Sequence, residues 1–331
     1  MSVGSWMRRC SVCGVVRDGE VIDAPERMTG TGEIFRYWGC SSCGCLQLID
    51  PPEDLSRYYG AGYYSFARPS VWSQRFRRAW LRGVLTGNSL YGSVLRRLLG
   101  QPSWLPWIEE ARISPEARIL DVGSGGGRRL VDMATAGFAN VTGLDPYVKG
   151  DPELPSGVQL LTSQLEEVTG EFDLIMFNHS LEHMADPVAA LRAAVRLLTE
   201  DGVILVRVPL VSLAWDVYGD SWVQLDPPRH LYLHTEKSIA TAATAAGLRV
   251  TKVVFDSNEF QFWGSELYER GVPLTAMPWH RRELPLRALR WRDRHLRRAA
   301  RSLNQDQLGD QAAFYLKHSA RPPRCDEEVA G

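Results

Sequence analysis

The sequence has little net charge, few cysteines and no long apolar run. Its 331 residues carry a formal net charge of −1, so no overall positive charge favours nucleic acid as a partner. No stretch of about 18 apolar residues is present, and we therefore expect no transmembrane segment. The N-terminus lacks the apolar core of a signal peptide. We expect a cytoplasmic protein in which the six cysteines stay reduced.

Four of the six cysteines have the spacing of metal ligands. The pattern C-x-x-C-G occurs twice, at 10–14 and at 40–44. Each such turn places two thiolates on one side, and two turns supply the four ligands of a closed tetrahedral Zn²⁺ site. The strand-forming residues 33–38 between them suit a zinc ribbon. Disulfides or free thiols are the alternative, and Cys45 could compete as a ligand. The predicted zinc ligands are Cys10, Cys13, Cys40 and Cys43.

A glycine-rich turn follows an apolar strand in the middle of the chain. Residues 119–127 read Ile-Leu-Asp-Val-Gly-Ser-Gly-Gly-Gly. Glycine allows positive φ, so a nucleoside can approach the backbone closely. One β–α unit later, the apolar strand 141–145 ends in Asp145, an acid that can accept hydrogen bonds from both ribose hydroxyls. These features predict a cofactor of the adenosine type.

The glycine spacing resembles motif I of the class I S-adenosylmethionine-dependent methyltransferases. A dinucleotide fingerprint is G-x-G-x-x-G, whereas the third glycine here comes one residue early, which disfavours a nicotinamide enzyme. The resemblance implies S-adenosyl-L-methionine as the cofactor and adenine contacts after the third strand. The cofactor-binding residues it implies are Asp121, Gly123, Gly125, Gly127, Asp145, Pro146, Gln164, Asn178 and His179.

Strand and helix patterns alternate after residue 113, which favours a doubly wound parallel sheet. The predicted strands are 118–122, 141–145, 158–161, 172–177, 203–206 and 248–255, and the predicted helices are 128–136, 187–198 and 235–246, the second closed by Gly202. The resemblance adds an antiparallel last strand at 312–316. The expected fold is α/β: a Rossmann-like seven-stranded methyltransferase sheet with helices on both faces, a small N-terminal zinc ribbon and a helical cap insertion.

These patterns divide the chain into six segments. They are the zinc ribbon at 1–50, a tyrosine-rich loop and helical lid at 51–112, the methyltransferase core at 113–257, the helical cap at 258–310, the last core strand at 311–318 and a disordered tail at 319–331.

Two histidines are candidate general bases. His183 ends Asn-His-Ser-Leu-Glu-His at 178–183, directly after the fourth strand, which is the motif IV position of the family. His230 ends Asp-Pro-Pro-Arg-His at 226–230, in the loop after the fifth strand. A histidine can take a proton from a hydroxyl near neutral pH. We expect His230 to be the base and His183 to be the second candidate, with a structural role as the alternative for each.

The combination of motifs resembles bacterial zinc-ribbon methyltransferases of sugar, polysaccharide and secondary-metabolite biosynthesis. It implies methyl transfer to a hydroxyl, or a carbon, of a sugar, glycan or related small molecule. Tryptophans such as Trp222 could stack on sugar rings or simply pack the cap. Two alternatives stay open. One is an RNA methyltransferase that uses the ribbon for recognition, and the other is a non-catalytic scaffold that binds the cofactor.

Overall fold

The computed structural model describes residues 2–58, 100–148, 157–276 and 286–319, with isolated positions between 80 and 154. The tyrosine-rich loop beyond Tyr58, most of the predicted lid and the tail from residue 320 lie outside the described residues. The described strands form two sheets, one of five strands and one of seven.

The secondary structure follows the predicted alternation. The strands are β1 (Ser2–Arg9), β2 (Val16–Pro25), β3 (Ile34–Cys40), β4 (Leu46–Ile49), β5 (Arg118–Val122), β6 (Asn140–Leu144), β7 (Val158–Leu161), β8 (Phe172–Asn178), β9 (Leu198–Pro209), β10 (Tyr232–Leu233), β11 (Leu248–Phe255) and β12 (Gln311–His318). The described α-helices are α1 (Leu105–Ala111), α2 (Arg128–Ala136), α3 (Pro187–Leu197), α4 (Leu213–Tyr218), α5 (Glu236–Ala245), α6 (Phe260–Glu269) and α7 (Leu286–Gln305).

The helix starts are set by local capping chemistry. Asp186 precedes α3, and its carboxylate accepts the backbone N–H of Ala189 at 2.8 Å, while Pro187 needs no partner for its missing N–H. Thr235 precedes α5, and its hydroxyl accepts the N–H of Ser238 at 3.0 Å. The Ser238 hydroxyl accepts the N–H of Thr235 in return, which satisfies two backbone donors.

The seven-stranded sheet has the order β11-β12-β9-β8-β5-β6-β7. Strand β12 runs antiparallel to both neighbours, and the other pairings in the central sheet are parallel. The predicted α/β fold with an antiparallel last strand is therefore confirmed, and the structure places that strand between β9 and β11. The carboxyl ends of β5, β6, β7 and β8 meet at one edge, where open parallel sheets bind ligands.

Both faces of the sheet are buried at its central strands β5 and β8, which explains why these strands are nearly continuous apolar runs. Ile119 and Leu120 are neighbours in β5 and point to opposite faces. Ile119 belongs to a buried cluster with Met133 of α2, and Leu120 belongs to another with Leu191 of α3. Helices thus cover the sheet on both sides.

The prediction that Gly202 closes the second helix is wrong. Helix α3 ends at Leu197, and β9 begins at Leu198 and continues through Gly202 to Pro209. The early residues Glu200 and Asp201 of this strand are exposed and polar. Because they extend past the buried part of the sheet, the apolar pattern marked only residues 203–206 as a strand.

The five-stranded sheet has the order β1-β2-β3-β4-β10, and each of its pairings is antiparallel. Its last strand is Tyr232–Leu233, which comes from the loop between β9 and α5. The N-terminal ribbon and the core therefore share a sheet. Among the helices of the described ranges, none has the length and apolar character needed to cross a bilayer.

His234, directly after β10, gives the first testable prediction. It is fully buried, and burial lowers its pKa to about 4. In the unfolded chain a histidine binds its proton near pH 6.5, whereas folded His234 binds one only near pH 4. The unfolded state therefore binds more protons in this window, and stability should fall as the pH drops from about 6.5 to about 4.

We expect His234→Gln to lose stability less steeply over that window, as measured by urea unfolding at several pH values. The slope will not vanish, because His230 is buried and its pKa is lowered in the same direction. Glu26 and Glu182 have folded pKa values of about 2 and an ordinary value of 4.5, so they steepen the slope near pH 4.5 in the variant and the parent protein alike. Equal slopes for the variant and the parent protein would show that His234 does not contribute to the pH dependence of stability.

Candidate functional site

The glycine turn and the loop after β8 form a single site. Gly123 has φ +76°, and a Cβ added there would lie 2.5 Å from the Cβ of Ser180, so a larger residue does not fit. The Ser180 hydroxyl donates a hydrogen bond to the carbonyl of Val122 at 2.6 Å. The two sequence motifs that were predicted separately are thus in direct contact.

Asp145 is held rigidly at the end of β6. One carboxylate oxygen accepts the N–H of Gly125 at 2.9 Å, and the other accepts the N–H of Tyr147 at 2.9 Å. The residue is only 9% exposed. Each oxygen keeps a second lone pair, so the carboxylate can still accept hydrogen bonds from a ligand diol.

Asp121 is buried beneath the same turn and is paired with an arginine. Arg129 donates a hydrogen bond to one carboxylate oxygen of Asp121 at 2.8 Å. Burial raises the pKa of Asp121, although the charge of Arg129 opposes that effect. Its other oxygen has no hydrogen-bond partner among the described residues and is a candidate acceptor for a bound ligand.

The remaining predicted cofactor residues lie along this edge of the sheet. Pro146 and Gln164 are exposed, and each follows the end of a strand. Asn178 ends β8, and His179 follows it with φ +52°. Arg207 of β9 donates to the side-chain oxygen of Asn178 at 3.3 Å and to Nε2 of His179 at 2.6 Å.

Glu182 is a buried carboxylate surrounded by imidazoles. Because Arg207 donates to Nε2 of His179, the proton of that ring is on Nδ1, which lies 3.3 Å from Oε1 of Glu182. Neither carboxylate oxygen receives a well-aligned hydrogen bond from the described residues. Burial alone would raise the pKa of Glu182, but His179, His183 and His230 together lower it to about 2. Glu182 is therefore ionised at neutral pH.

The structure brings the two predicted bases together beside Glu182. The rings of His183 and His230 are 4.8 Å apart, and Nε2 of His230 lies 4.0 Å from Oε1 of Glu182. Nδ1 of His230 is 2.8 Å from the carbonyl oxygen of Gln224, and Nδ1 of His183 is 2.7 Å from that of Arg229. Since a carbonyl can only accept, both rings carry their proton on Nδ1.

His230 is suited to accept a proton on Nε2. Burial lowers its pKa to about 4, and the charge of neighbouring His183 acts in the same direction. The ring is therefore uncharged at neutral pH, with its Nε2 lone pair available. The ligand atoms of Glu182, His183 and His230 all lie within 4.8 Å of one another, a spacing that would also admit a metal ion.

A buried ion cluster anchors the segment that ends at His230. The guanidinium of Arg229 is fully buried and donates to Glu26 of the ribbon at 2.9 Å, to Asp226 at 2.9 Å and to the carbonyl of Tyr58 at 3.2 Å. Burial would raise the pKa of Glu26, but hydrogen bonds from Thr29 and Arg229 lower it to about 2. The sequence offered no motif for Glu26. Glu182 and Arg229 lay inside the two histidine motifs but were not assigned.

The four predicted zinc ligands form one cluster. The Sγ atoms of Cys10 and Cys43 are 3.6 Å apart, and those of Cys13 and Cys40 are 3.7 Å apart. Four thiolates around Zn²⁺ at about 2.3 Å would be about 3.8 Å apart, so the donor set fits the ion. These distances are too long for disulfides, and the described cysteines are all free.

Cys45 lies outside this cluster, which argues against the alternative that it competes as a ligand. Its thiol donates to the carbonyl of Leu46 at 3.5 Å and faces Nδ1 of His234 at 4.0 Å. Within the cluster, a hydrogen bond from Cys43 lowers the pKa of Cys10 to about 5. The pKa of Cys43 rises through that same bond and through burial.

Comparisons with known proteins find methyltransferases. A family model described as a methyltransferase domain matches residues 95–253. The ubiquinone biosynthesis O-methyltransferase of Pseudomonas aeruginosa (strain UCBPP-PA14) is 35% identical over 116 residues, which cover 32% of this chain and 50% of that protein. The corresponding protein of Bordetella avium (strain 197N) is 34% identical over 167 residues, which cover 44% of this chain and 68% of that protein.

Solved structures with a similar fold include a mycolic acid cyclopropane synthase in complex with SAH and CTAB. That structure has a TM-score of 0.40 and 18% identity, and the match covers 64% of this chain and 83% of the synthase. The chain spans about half the length of the P. aeruginosa relative.

The family assignment depends on the sequence relatives. At 34% identity the match extends over 68% of the B. avium protein, and the methyltransferase domain model spans the glycine turn and both histidine motifs. This chain belongs to the family of S-adenosylmethionine-dependent methyltransferases.

Proposed function

We propose that this chain transfers the methyl group of S-adenosylmethionine to a hydroxyl of a small organic acceptor. The observation that carries the proposal is the placement of His230 and Glu182 on the loops beside the glycine turn. A hydroxyl must lose its proton to become a good nucleophile, and a fixed, uncharged imidazole can take it. The relatives are named O-methyltransferases, which supports a hydroxyl acceptor.

The cofactor would lie over the glycine turn. The Asp145 carboxylate would accept the ribose hydroxyls, and the backbone of the turn would contact the amino-acid end. When bound, S-adenosylmethionine supplies the electrophilic methyl carbon. The chain itself binds the cofactor, orients the acceptor and removes one proton.

That proton would move from the acceptor hydroxyl to Nε2 of His230. The hydrogen bond to Gln224 holds the ring in the tautomer that leaves Nε2 unprotonated. The imidazolium that forms lies 4.0 Å from the ionised carboxylate of Glu182. At an effective dielectric constant of about 20, such a pair attracts by about 4 kcal/mol, so Glu182 would stabilise the protonated base.

The chemistry of the base favours an acidic hydroxyl. A histidine with a pKa of about 4 is a weak base, and it takes a proton more readily from a phenol than from an aliphatic alcohol. Trp222, a candidate from the sequence for stacking on a sugar ring, is fully buried and donates its indole N–H to Asp310 at 3.0 Å. We therefore propose phenols as the preferred class of acceptor, and sugars and glycans as the alternative class.

We also propose that the cysteine cluster binds one structural Zn²⁺. The four ligands Cys10, Cys13, Cys40 and Cys43 would leave no open coordination position, so the ion would stabilise the ribbon and take no part in methyl transfer.

The cofactor role is tested by Asp145→Ala. We expect the variant to lose binding of S-adenosylmethionine and S-adenosylhomocysteine by isothermal calorimetry, because the ribose hydroxyls lose their acceptor. The parent protein should bind both ligands and not NAD. Circular dichroism checks that the variant is folded. Unchanged affinity in a folded variant would refute the ribose role.

The base is tested by His230→Ala, with formation of S-adenosylhomocysteine followed by mass spectrometry against a panel of phenols, catechols and free sugars. We expect turnover to fall by about 10² or more while cofactor affinity is retained. His318→Ala is the matched control, since His318 pairs with Leu248 at the opposite edge of the sheet. Turnover close to that of the parent protein would show that His230 is not the base and would leave His183 as the candidate.

The metal site is tested by elemental analysis of protein purified without chelator. We expect one zinc per chain, its loss in Cys40→Ser and its retention in Cys45→Ser, because Cys45 is equally buried but lies outside the cluster. Parent protein without zinc, or equal zinc in both variants, would contradict the proposal.

A further inference from the structure

The loop that carries His230 is bonded to the ribbon sheet on one side. Tyr232 and Leu233 of β10 pair with Gln47 and Leu46 of β4. The backbone N–H of Leu48 donates to the carbonyl of Leu231 at 2.9 Å. His230 therefore lies two residues before a strand of the ribbon.

A ribbon side chain reaches His230 itself. Tyr37 lies in β3, is fully buried and donates its hydroxyl to the carbonyl oxygen of His230 at 2.6 Å. Burial raises the pKa of this phenol well above its usual value, so the hydroxyl keeps its proton and remains a donor. This hydrogen bond joins a side chain of the ribbon directly to the backbone of the candidate base.

The neighbouring residue has a second attachment. Arg229 is bonded to Glu26, the residue directly after β2, in the fully buried ion pair. Glu26 also accepts hydrogen bonds from Thr29 and Thr31, which hold its carboxylate in place. Two consecutive residues of the loop are thus fixed by two different parts of the ribbon, Arg229 by the residue that follows β2 and His230 by β3.

Arg229 and Leu231, on either side of His230, are also bonded to the loop that carries Glu182 and His183. The carbonyl of Arg229 is 2.7 Å from Nδ1 of His183, and the N–H of Leu231 donates to the carbonyl of Glu182 at 2.8 Å. The loop is therefore held between the ribbon and the segment of Glu182 and His183. A shift of the ribbon would pull on the loop, strain these hydrogen bonds and move His230 relative to Glu182. A ribbon used only to recognise a partner would not need to bond to this loop.

We propose that Tyr37 and Glu26 are positioning residues for His230, so that the N-terminal ribbon is a working part of the methyl-transfer site. Neither residue touches the acceptor or the cofactor in this assignment. They act by holding the Arg229–Leu231 backbone between the two sheets. The inference rests on the proposed role of His230 as the base.

The test uses Tyr37→Phe, which removes one hydroxyl and keeps the ring. Tyr232→Phe is the matched control, because Tyr232 is also buried and donates its hydroxyl to a backbone carbonyl, that of Ala185 at 2.9 Å. The full-length protein is labelled with ¹⁵N-histidine, and the imidazole signals are titrated by NMR. The absence of a signal in His230→Ala identifies that of His230.

We expect Tyr37→Phe to raise the titration midpoint of His230 toward 6.5 by about half a pH unit or more, because a loosened loop admits water to the ring. Tyr232→Phe should lower the melting temperature to a similar degree and leave that midpoint unchanged. If an acceptor from the panel is methylated, Tyr37→Phe should lower kcat with little change in KM.

An unchanged midpoint in Tyr37→Phe, with the same loss of melting temperature as the control, would show a merely structural hydroxyl and overturn the proposal. If Tyr37→Phe does not fold, Glu26→Gln, which keeps the shape and removes the charge, must raise the midpoint or the proposal is wrong. The titration uses neither cofactor nor acceptor. Failure of S-adenosylmethionine binding would therefore contradict the proposed function alone.

Discussion

The buried guanidinium of Arg229 is the interaction on which the arrangement of the site depends. Removing a charged group from water costs several kcal/mol, and here the cost is offset by two carboxylates and one carbonyl. Breaking one partner of such a cluster costs about 3–5 kcal/mol, because the remaining charge is left unpaired. Glu26, Tyr58 and Asp226 come from three distant parts of the chain. The cluster therefore specifies one relative placement of the ribbon and the loop.

The cysteine cluster is linked to the core by similar short contacts. The hydroxyl of Thr235, which caps α5, donates to the carbonyl of Cys43 at 2.6 Å. A Cβ on Gly44 would lie 2.9 Å from the Thr235 methyl group, so the turn after the second cysteine pair can approach the helix only because glycine is there. An ion held in this turn would therefore steady the start of α5 as well as the ribbon.

The sequence predicted well what local patterns encode. Strand β5 and the start of α2 have the expected bounds, because a buried apolar run and a glycine turn are encoded within a few residues. It could not predict that β10 joins the ribbon, since a two-residue strand has no pattern of its own. Nor could it pair Glu26 with Arg229 or Tyr37 with His230. Each of these contacts joins residues about 200 positions apart, and no local pattern around either residue indicates which partner it will have.

The tautomers of the two histidines connect the ion cluster to the chemistry. In many catalytic sites a carboxylate orients the imidazole and fixes its proton. Here the carbonyls of Gln224 and Arg229 do so, and carbonyls do not titrate. The position of the proton is therefore independent of pH as long as the backbone of the loop stays in place. That backbone is held by a buried arginine and a buried tyrosine, whose charges are also constant near neutral pH. The buried carboxylates of Asp226 and Glu182 are thus the charges that would stabilise a proton on His230.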